Sequence, residues 1–296
     1  MAVRINPDFF GDVVWSLSEL RQSEDRDFMQ LASGRKLNSI SDDPAAVADL
    51  VVMRSQVSEA EQFIKNVSSV RGSLQIADST LNSVVAALNR AMSLAIQGAN
   101  GTLSAANRQA LAVEVRGIQQ QLLSLANTSY QGNYVFAGTA VTTHPFVMDP
   151  ASSSVAYQGN AGTNTVQIGE GQYTPAGLPG SQIFNQTGSD VFAAVNDLAV
   201  ALESGGDVAG AATGVQNAFQ QVNKQRAFYG SSLARLNSAE QFLNAEQLQL
   251  TTSLNDLEAA DMAAVISDLN RVEIAKNAAL AAASKASQLS LLDYLK

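Results

Sequence analysis

The sequence from Leu31 to Val57 reads LASGRKLNSISDDPAAVADLVVMRSQV, and it predicts a joint between two helices. Gly34 can adopt the left-handed conformation that ends a helix. Asp43 is placed to cap the first amides of a second helix, and Pro44 suits the first position of that helix because proline lacks an amide hydrogen. Asp42 adds negative charge at the positive end of the same helix. The residues assigned to the joint and its cap are Gly34, Asn38, Asp42, Asp43 and Pro44.

A helix is also predicted before the joint. It would begin at Asn6, with Pro7 at its first position. Its apolar residues fall close to one stripe, which predicts that one face packs against another helix. The residues of this stripe are Phe10, Val14, Leu17, Phe28 and Leu31.

After the joint, the sequence predicts a long helix from Pro44 to Gly98. Two series with a seven-residue spacing, one through Met53 and one through Leu50, are apolar at twelve of their fourteen positions. The two exceptions are Arg71 and Asp78. Such a repeat is typical of a coiled coil. The segment GANGT then breaks the pattern, and a shorter helix is predicted over residues 105–125.

The middle of the chain has a different composition. Residues 131–189 contain nine of the 20 glycines, four of the six prolines and only two charged residues, Asp149 and Glu170. The segments YVFAG, SSVAYQG and NTVQIGEGQYT place β-forming residues between turn residues. We therefore predict a small β-rich insert.

A helical pattern returns near Asp190, and a second seven-residue series runs from Val215 to Ala264. Its companion series contains Arg226 and Glu240, and polar residues at such positions cost stability but fix the register. Two long helical stretches around an insert most simply fold back antiparallel. The predicted fold class is mainly α: a long antiparallel coiled-coil or helical-bundle rod built from both ends of the chain, with a small β-rich inserted domain.

The composition argues against several classes of partner. The 296 residues include no cysteine, so disulfides and thiolate metal sites are excluded. The net charge of −9 disfavours nucleic acid and acidic membrane surfaces as partners. The apolar run at residues 13–17 is too short for a secretory signal, and no stretch is long enough to be a predicted transmembrane helix. We expect neither a nucleic-acid partner nor a membrane partner.

Residues suited to catalysis are sparse. His144 is the only histidine, and its place before Pro145 in the glycine-rich insert favours a surface loop over a Ser-His-Asp arrangement. The segment GEG at 169–171 lacks the third glycine of a dinucleotide fingerprint and predicts a turn. The two aspartates of SDDP lack the spacing of a calcium-binding loop, and helix capping explains them more simply. We predict no enzyme activity, no cofactor and no metal.

Both ends of the chain resemble one known family. The segment LASGRKLNSISDDPAA resembles the N-terminal signature of bacterial flagellins and their relatives. The segment AAVISDLNRVEIAKNAALAAASKASQLSLLDYL resembles the matching C-terminal signature. Within that superfamily, GNYVFAGTAVTTHPF at residues 132–146 resembles the start of the insert in the hook-associated members that join hook and filament.

The resemblance implies a structural subunit of the bacterial flagellum. Such a subunit would join hook to filament by stacking on another hook-associated protein and by templating flagellin assembly. The implied partners are other hook-associated proteins, flagellin, a cytoplasmic export chaperone and further copies of the chain in a ring. The implied location is extracellular, at the hook–filament junction, after export of the unfolded chain by the flagellar type III apparatus without a cleaved signal peptide.

Three parts of the chain follow from the pattern and the resemblance together. Residues 1–43 and 256–296 would be terminal helices that form an inner coiled-coil region, residues 44–130 and 190–255 a helical rod domain, and residues 131–189 a β-rich outer insert. The resemblance implies that the terminal segments become ordered on assembly. The predicted assembly contacts are Phe10, Val14, Leu17, Leu31, Leu269, Val272, Leu280, Leu289, Leu291, Leu292, Tyr294 and Leu295.

Two alternatives stay open at the level of the sequence. The first is a filament-forming flagellin, since short flagellins exist. The second is a secreted helical binding module with a ligand site in the insert.

Overall fold

The structure, a computed structural model, describes the backbone of residues 9–294 and the side chains of residues 11–285. The helices are α1 (Phe9–Ser33), α2 (Pro44–Gly98), α3 (Ala105–Ala126), α4 (Gly180–Ile183), α5 (Val191–Ser204), α6 (Val208–Glu258) and α7 (Met262–Tyr294). The strands, which follow α3, are β1 (Ser129–Tyr130), β2 (Asn133–Tyr134), β3 (Phe146–Met148), β4 (Val155–Tyr157), β5 (Thr165–Gly169) and β6 (Gln172–Pro175). The mainly α class with a small β-rich insertion is confirmed.

The predicted long helix is confirmed at both ends, since α2 begins at Pro44 and ends at Gly98. The helix predicted over residues 105–125 is α3. The start predicted for the first helix, at Asn6 and Pro7, lies outside the described residues.

The second apolar series does not run through one helix as far as Ala264. The helix α6 ends at Glu258, and α7 begins at Met262. Asp261 explains the new start, because its Oδ1 accepts hydrogen bonds from the amides of Ala263 and Ala264 at 3.0 and 3.1 Å. This is an N-cap, and it lets a second helix begin after a short break.

The chain divides into two compact units. One, called here the terminal unit, contains the residues up to Glu59 and those from Gln247 onward. The other, called here the central unit, is Ala60–Glu246. The three-part division drawn from the sequence stays a prediction.

In the central unit, the predicted seven-residue series form the core. Val67, Leu74, Leu81 and Leu88 of α2 are fully buried. So are the matching residues of α6, which are Val215, Val222, Tyr229 and Leu236. Burial of these side chains is the main source of stability for two long amphipathic helices.

The polar exceptions of the two series meet in pairs. Arg71 of α2 forms an ion pair with Glu240 of α6, and Asp78 of α2 lies 3.3 Å from Nε of Arg226. As the residue number rises along α2, that of its partner on α6 falls, so the two helices run antiparallel within the central unit. The polar residues predicted to fix the register, Arg226 and Glu240, therefore each have a specific partner on α2.

The insert consists of three separate antiparallel hairpins, β1–β2, β3–β4 and β5–β6. The predicted turn at GEG joins β5 to β6, and Gly171 there has φ +65°. The predicted β-segment YVFAG is wrong beyond Tyr134. Phe136 is buried in irregular backbone, and its carbonyl accepts hydrogen bonds from the Gly180 amide and the Tyr157 hydroxyl.

Aromatic rings join the insert to the helices of the central unit. Phe146 lies at the centre, with ring centroids of Tyr157, Phe184 and Phe192 at 5.0, 5.3 and 5.3 Å. Tyr229 of α6 forms a second link, because its hydroxyl accepts a hydrogen bond from the Leu178 amide at 3.2 Å. Burial raises the pKa of the Tyr229 hydroxyl to about 12.

Among the residues that the structure describes, no helix combines the length and apolar character that crossing a bilayer requires.

Candidate assembly site: the terminal helices and their joint

The helices α1 and α7 pack against each other in the terminal unit. The Nζ of Lys276 lies 2.7 Å from Oε2 of Glu24, and the end of α1 lies beside the start of α7, so the pair is antiparallel. On α1, six half-buried or buried residues recur at alternating steps of four and three, which is the spacing of a coiled-coil seam. These residues are Val13, Leu17, Leu20, Glu24, Asp27 and Leu31, and the half-buried Ser23 and Gln30 lie beside them.

The facing residues of α7 follow the same spacing. Val265 is buried, and Leu269, Val272, Lys276 and Ala279 are half-buried. Of the predicted assembly contacts, Leu17, Leu31, Leu269 and Val272 therefore lie in the seam within this chain. Their predicted role in contacts with other subunits stays a prediction.

Two polar positions weaken this seam. Glu24 is paired with Lys276, but Asp27 is buried and its Oδ2 has no hydrogen-bond partner among the described residues. A buried polar atom without a partner costs free energy. The α1–α7 pair is accordingly less stable than an all-apolar seam of the same length would be.

Large apolar side chains also lie on the exposed surface of both helices. Val14 and Leu280, which the sequence proposed as assembly contacts, are exposed. Other exposed apolar residues were not predicted as contacts, among them Trp15 at 68% and Ile274 at 70%. The further residues are Phe28, Met29, Met262 and Ile266. The predicted packing stripe of α1 is therefore wrong at Val14 and Phe28, which lie on the exposed surface. A signal was present, since an apolar residue that falls off the seam spacing of a helix lies on its outer surface.

Several predicted contacts lie outside the described residues or the described side chains. Leu295 lies outside the described residues. The backbone of Leu289, Leu291, Leu292 and Tyr294 belongs to α7, but their side chains, like that of Phe10, lie outside the described side chains.

The joint ties the two ends of the terminal unit together through the backbone. Gly34 has φ +70°, and its carbonyl accepts a hydrogen bond from the Ala260 amide at 3.0 Å. The Lys36 amide donates to the carbonyl of Glu258 at 2.7 Å. These bonds flank a bridge between Arg35 and Ala259. The break after α1 and the break after α6 thus form one structure.

Glu258 is the central side chain of the joint. It is only 7% exposed, and its Oε1 lies 2.5 Å from Nε of Arg35 and 2.8 Å from Nη2 of Arg54. One carboxylate therefore links the loop after α1, the first turns of α2 and the end of α6. None of the three residues was predicted from the sequence, because the partners are far apart in the chain and no local motif marks them.

The two aspartates of the joint have different roles. Asp43 Oδ1 accepts hydrogen bonds from the amides of Ala45 and Ala46 at 3.1 and 3.0 Å, the geometry of a helix N-cap. Asp42 Oδ2 instead accepts from the amides of Asn38 and Ser39 at 3.0 and 2.8 Å. Asp42 therefore closes the loop, which the proposal of a favourable charge alone did not anticipate.

Asn38 and Pro44 complete the predicted set. The Asn38 Nδ2 donates to the Arg35 carbonyl at 2.9 Å, and Pro44 is the first residue of α2. All five predicted joint residues, from Gly34 to Pro44, thus lie in one loop that begins and ends with a helix.

We expect Asp43→Ala to destabilise the start of α2 by about 0.5–2 kcal/mol, because it removes the acceptor for two first-turn amides. Asp43→Asn should be tolerated, since asparagine caps equally well. Hydrogen exchange separates the two aspartates. Asp43→Ala should speed exchange at Ala45 and Ala46, whereas Asp42→Ala should speed it at Asn38 and Ser39. The same exchange pattern in both variants would contradict this division of roles.

The joint and the seam contain no arrangement suited to metal binding. In the part of the chain that the structure describes, no group of three or more His, Asp or Glu side chains could hold a metal ion. What the site offers chemically is apolar surface, helix caps and one buried carboxylate between two guanidinium groups.

Comparisons with known proteins cover both ends of the chain. The bacterial flagellin N-terminal helical region matches residues 19–141, and the bacterial flagellin C-terminal helical region matches residues 212–295. Together they cover more than two thirds of the chain.

Curated relatives match over nearly their whole length. Flagellar hook-associated protein 3 of Escherichia coli K12 is 28% identical over 293 residues, which is 90% of this chain and 91% of the relative. The flagellin of Listeria innocua is 27% identical over 259 residues, which is 88% of this chain and 86% of the relative.

A solved structure shares the fold. The crystal structure of flagellar hook-associated protein-3 from Legionella pneumophila superimposes with a TM-score of 0.64 at 14% identity, over 70% of this chain and 98% of that chain. Since the N-terminal and C-terminal regions of one family match the two ends of the sequence in the same order, this chain belongs to the bacterial flagellin family.

Proposed function

We propose that the chain is a structural subunit of the flagellum that joins hook to filament. The observation that carries this proposal is the similarity to hook-associated protein 3 of E. coli over about nine tenths of both chains. The segment at residues 132–146, where the insert begins, resembles the same branch of the family. The subunit would stack on another hook-associated protein and present a surface on which flagellin assembles.

The surface of the terminal unit supports an assembly role. Trp15, Phe28 and Ile274 expose more than half of their side chains although each is large and apolar. Soluble proteins rarely leave such residues in extended exposed patches unless another protein covers them. Other hook-associated proteins, flagellin and further copies of this chain are the partners that would cover them.

The proposal also includes an export route for the chain and a location at the flagellum. The chain would be held by a cytoplasmic chaperone, exported unfolded without a cleaved signal peptide and assembled outside the cell at the hook–filament junction. The weak seam of α1 and α7 suits this route, because a buried carboxylate oxygen without a hydrogen-bond partner lowers the free energy needed to separate the two helices. No catalytic role is part of the proposal.

A filament-forming flagellin is the second candidate. It is favoured by the Listeria flagellin, which is similar over almost as much of this chain. Two observations separate the candidates. If the chain is a junction subunit, a deletion strain should keep its hooks, make no filaments and release flagellin into the medium. The purified chain should form no long filaments by itself if it is a junction subunit, and should form them if it is a flagellin.

We expect removal of residues 289–296 to abolish filament assembly while the central unit keeps its stability. The removed segment contains Leu289, Leu291, Leu292 and Leu295, which are too apolar to remain without a partner in an assembled structure. The truncated chain would be expressed in the deletion strain, and filaments would be counted by electron microscopy. Removal of Lys296 alone is the control and should restore filaments. Normal filaments from the truncated chain would contradict the proposed role of the tail.

A further inference from the structure

An open cavity of about 170 Å³ lies within the central unit, and no charged side chain lines it. Tyr130 and Tyr134 of the first hairpin form one part of the wall, and Ser69 and Ser73 of α2 form another. Asn164, in the loop before β5, also lines the cavity. The wall therefore combines aromatic rings with neutral hydroxyl and amide groups.

Most polar side chains of the wall have no partner within the protein. Among the residues whose side chains the structure describes, no hydrogen bond engages the side-chain atoms of six of them, four of which are exposed and two half-buried. The exposed residues are Ser69, Asn133, Thr163 and Asn164, and the half-buried ones are Ser73 and Tyr134. Their donors and acceptors are available to a bound molecule.

Three other asparagines of the central unit are bound within the protein. The side chain of Asn127 exchanges two hydrogen bonds with the backbone of Phe146, both at 2.9 Å. Asn66 donates to the Gln167 carbonyl at 2.8 Å, and Asn160 binds Thr139 through both its oxygen and its nitrogen. Asn133 and Asn164 at the cavity are instead exposed, so their amide groups face the open side of the cavity wall.

The hairpin turn at the cavity is strained. Gln131 and Gly132 have φ +50° and +83°, the pattern of a type I′ turn, in which asparagine is much preferred to glutamine at the first of these positions. The Nε2 of Gln131 donates to the Tyr130 hydroxyl at 3.2 Å. Strained residues cluster at functional sites, so the strain at Gln131 supports a role for this wall of the cavity.

The position of Tyr130 depends on a glycine in α2. A Cβ atom at Gly72 would collide with the Tyr130 hydroxyl, so only glycine at this position lets the ring lie against the helix. Tyr134 is positioned by a ring contact with His144, at 4.9 Å between centroids. Both rings are therefore held in place before any ligand arrives.

We infer that this cavity binds one ring of a neutral carbohydrate, a hexose or an N-acetylhexosamine. Sugar hydroxyls both donate and accept hydrogen bonds, as do the hydroxyl and amide groups of the wall. The C–H face of a sugar ring packs against aromatic rings, which Tyr130 and Tyr134 supply. Phosphates, carboxylates and cations would find no opposite charge in the lining.

The test uses the full chain and four free sugars: glucose, galactose, mannose and N-acetylglucosamine. Saturation-transfer NMR should detect saturable binding of at least one of them, with a Kd of about 1–10 mM, as is usual for so few contacts. Tyr134→Ala and Asn164→Ala should each weaken binding by about tenfold. Tyr173→Ala is the matched control, because Tyr173 is an exposed tyrosine of the same insert outside the cavity. It should leave the affinity unchanged.

A second variant separates binding from folding. Gln131→Asn should raise the Tm, because asparagine suits the turn, and should weaken sugar binding because the shorter amide no longer reaches the same position. Two results would overturn the proposal: no saturable binding of any of the four sugars, or equal losses in Tyr173→Ala and Tyr134→Ala. Binding of a neutral Gly-Ser peptide in place of the sugars would also overturn it.

Discussion

Replacing Phe146 by alanine is expected to lower the free energy of unfolding of the central unit by about 3–5 kcal/mol. Phe146 is 1% exposed and contacts three other aromatic rings, so its removal leaves a cavity that neighbouring side chains cannot fill. The backbone around it is also fixed, because its amide and carbonyl are both bound by Asn127. Urea denaturation of the full chain, followed by circular dichroism, measures the change.

Val147 provides the control on the same strand. It is 48% exposed and points away from the ring cluster, as alternate residues of a strand do. Val147→Ala should change the free energy of unfolding by less than about 0.5 kcal/mol. Similar losses in the two variants would mean that the strand, and not the ring of Phe146, holds the insert to the helices.

Glu258→Gln is expected to destabilise the joint of the terminal unit by about 1–3 kcal/mol, less than a fully buried ion pair would lose, because Arg35 and Arg54 are about half exposed. Glutamine keeps the size of the side chain but removes the charge that both guanidinium groups share. Exchange of the Lys36 and Ala260 amides, which bond across the joint, should become about ten- to a hundredfold faster.

Glu273→Gln is the matched control, because Glu273 is an exposed carboxylate of α7 away from the joint. It should leave exchange at Lys36 and Ala260 unchanged. If the control accelerates exchange as much as Glu258→Gln, the effect would come from the net charge of the terminal unit and not from the three-residue contact.

The long helices could be predicted from the sequence because the signal is local. The seven-residue series through Met53 repeats over the whole of α2, and an aspartate followed by proline marks where that helix begins. Arg226 and Glu240 were predicted to fix the register, and Arg71 and Asp78 were recognised only as exceptions to the apolar repeat. The pairing between these residues was not predicted, since residues of α6 that are more than 140 positions away supply the opposite charges.

Only the part of the joint at the start of α2 could be predicted from the sequence. Asp43 caps the helix that follows it, and such a contact spans three residues. Glu258 contacts Arg54 across 204 residues of chain, and no spacing rule predicts a contact of that separation. The break before α7 was missed for another reason: an apolar residue at every seventh position continues through Ala264, and the capping aspartate at 261 interrupts the helix without interrupting that pattern.

The insert was the least predictable part. Glycines and β-formers predicted a β-rich insert, and NTVQIGEGQYT does form β5 and β6. YVFAG also places β-formers before a glycine, but Phe136 packs in the ring cluster beside Phe184, at 5.2 Å, and its carbonyl accepts a hydrogen bond from the Gly180 amide. Tertiary packing of one aromatic residue therefore decided the local conformation against its β preference.

The two ion pairs between α2 and α6 also favour one helix partner of α2 over another. Two copies of α2 could in principle dimerise through their long apolar seams. A parallel, in-register dimer would set Arg71 against Arg71 and Asp78 against Asp78, and like charges in a seam are repulsive. The correct partner, α6 of the same chain, offers Glu240 and Arg226 instead. Two residues in each helix thus disfavour a parallel, in-register pairing of α2 with a second α2 and favour pairing with α6 of the same chain.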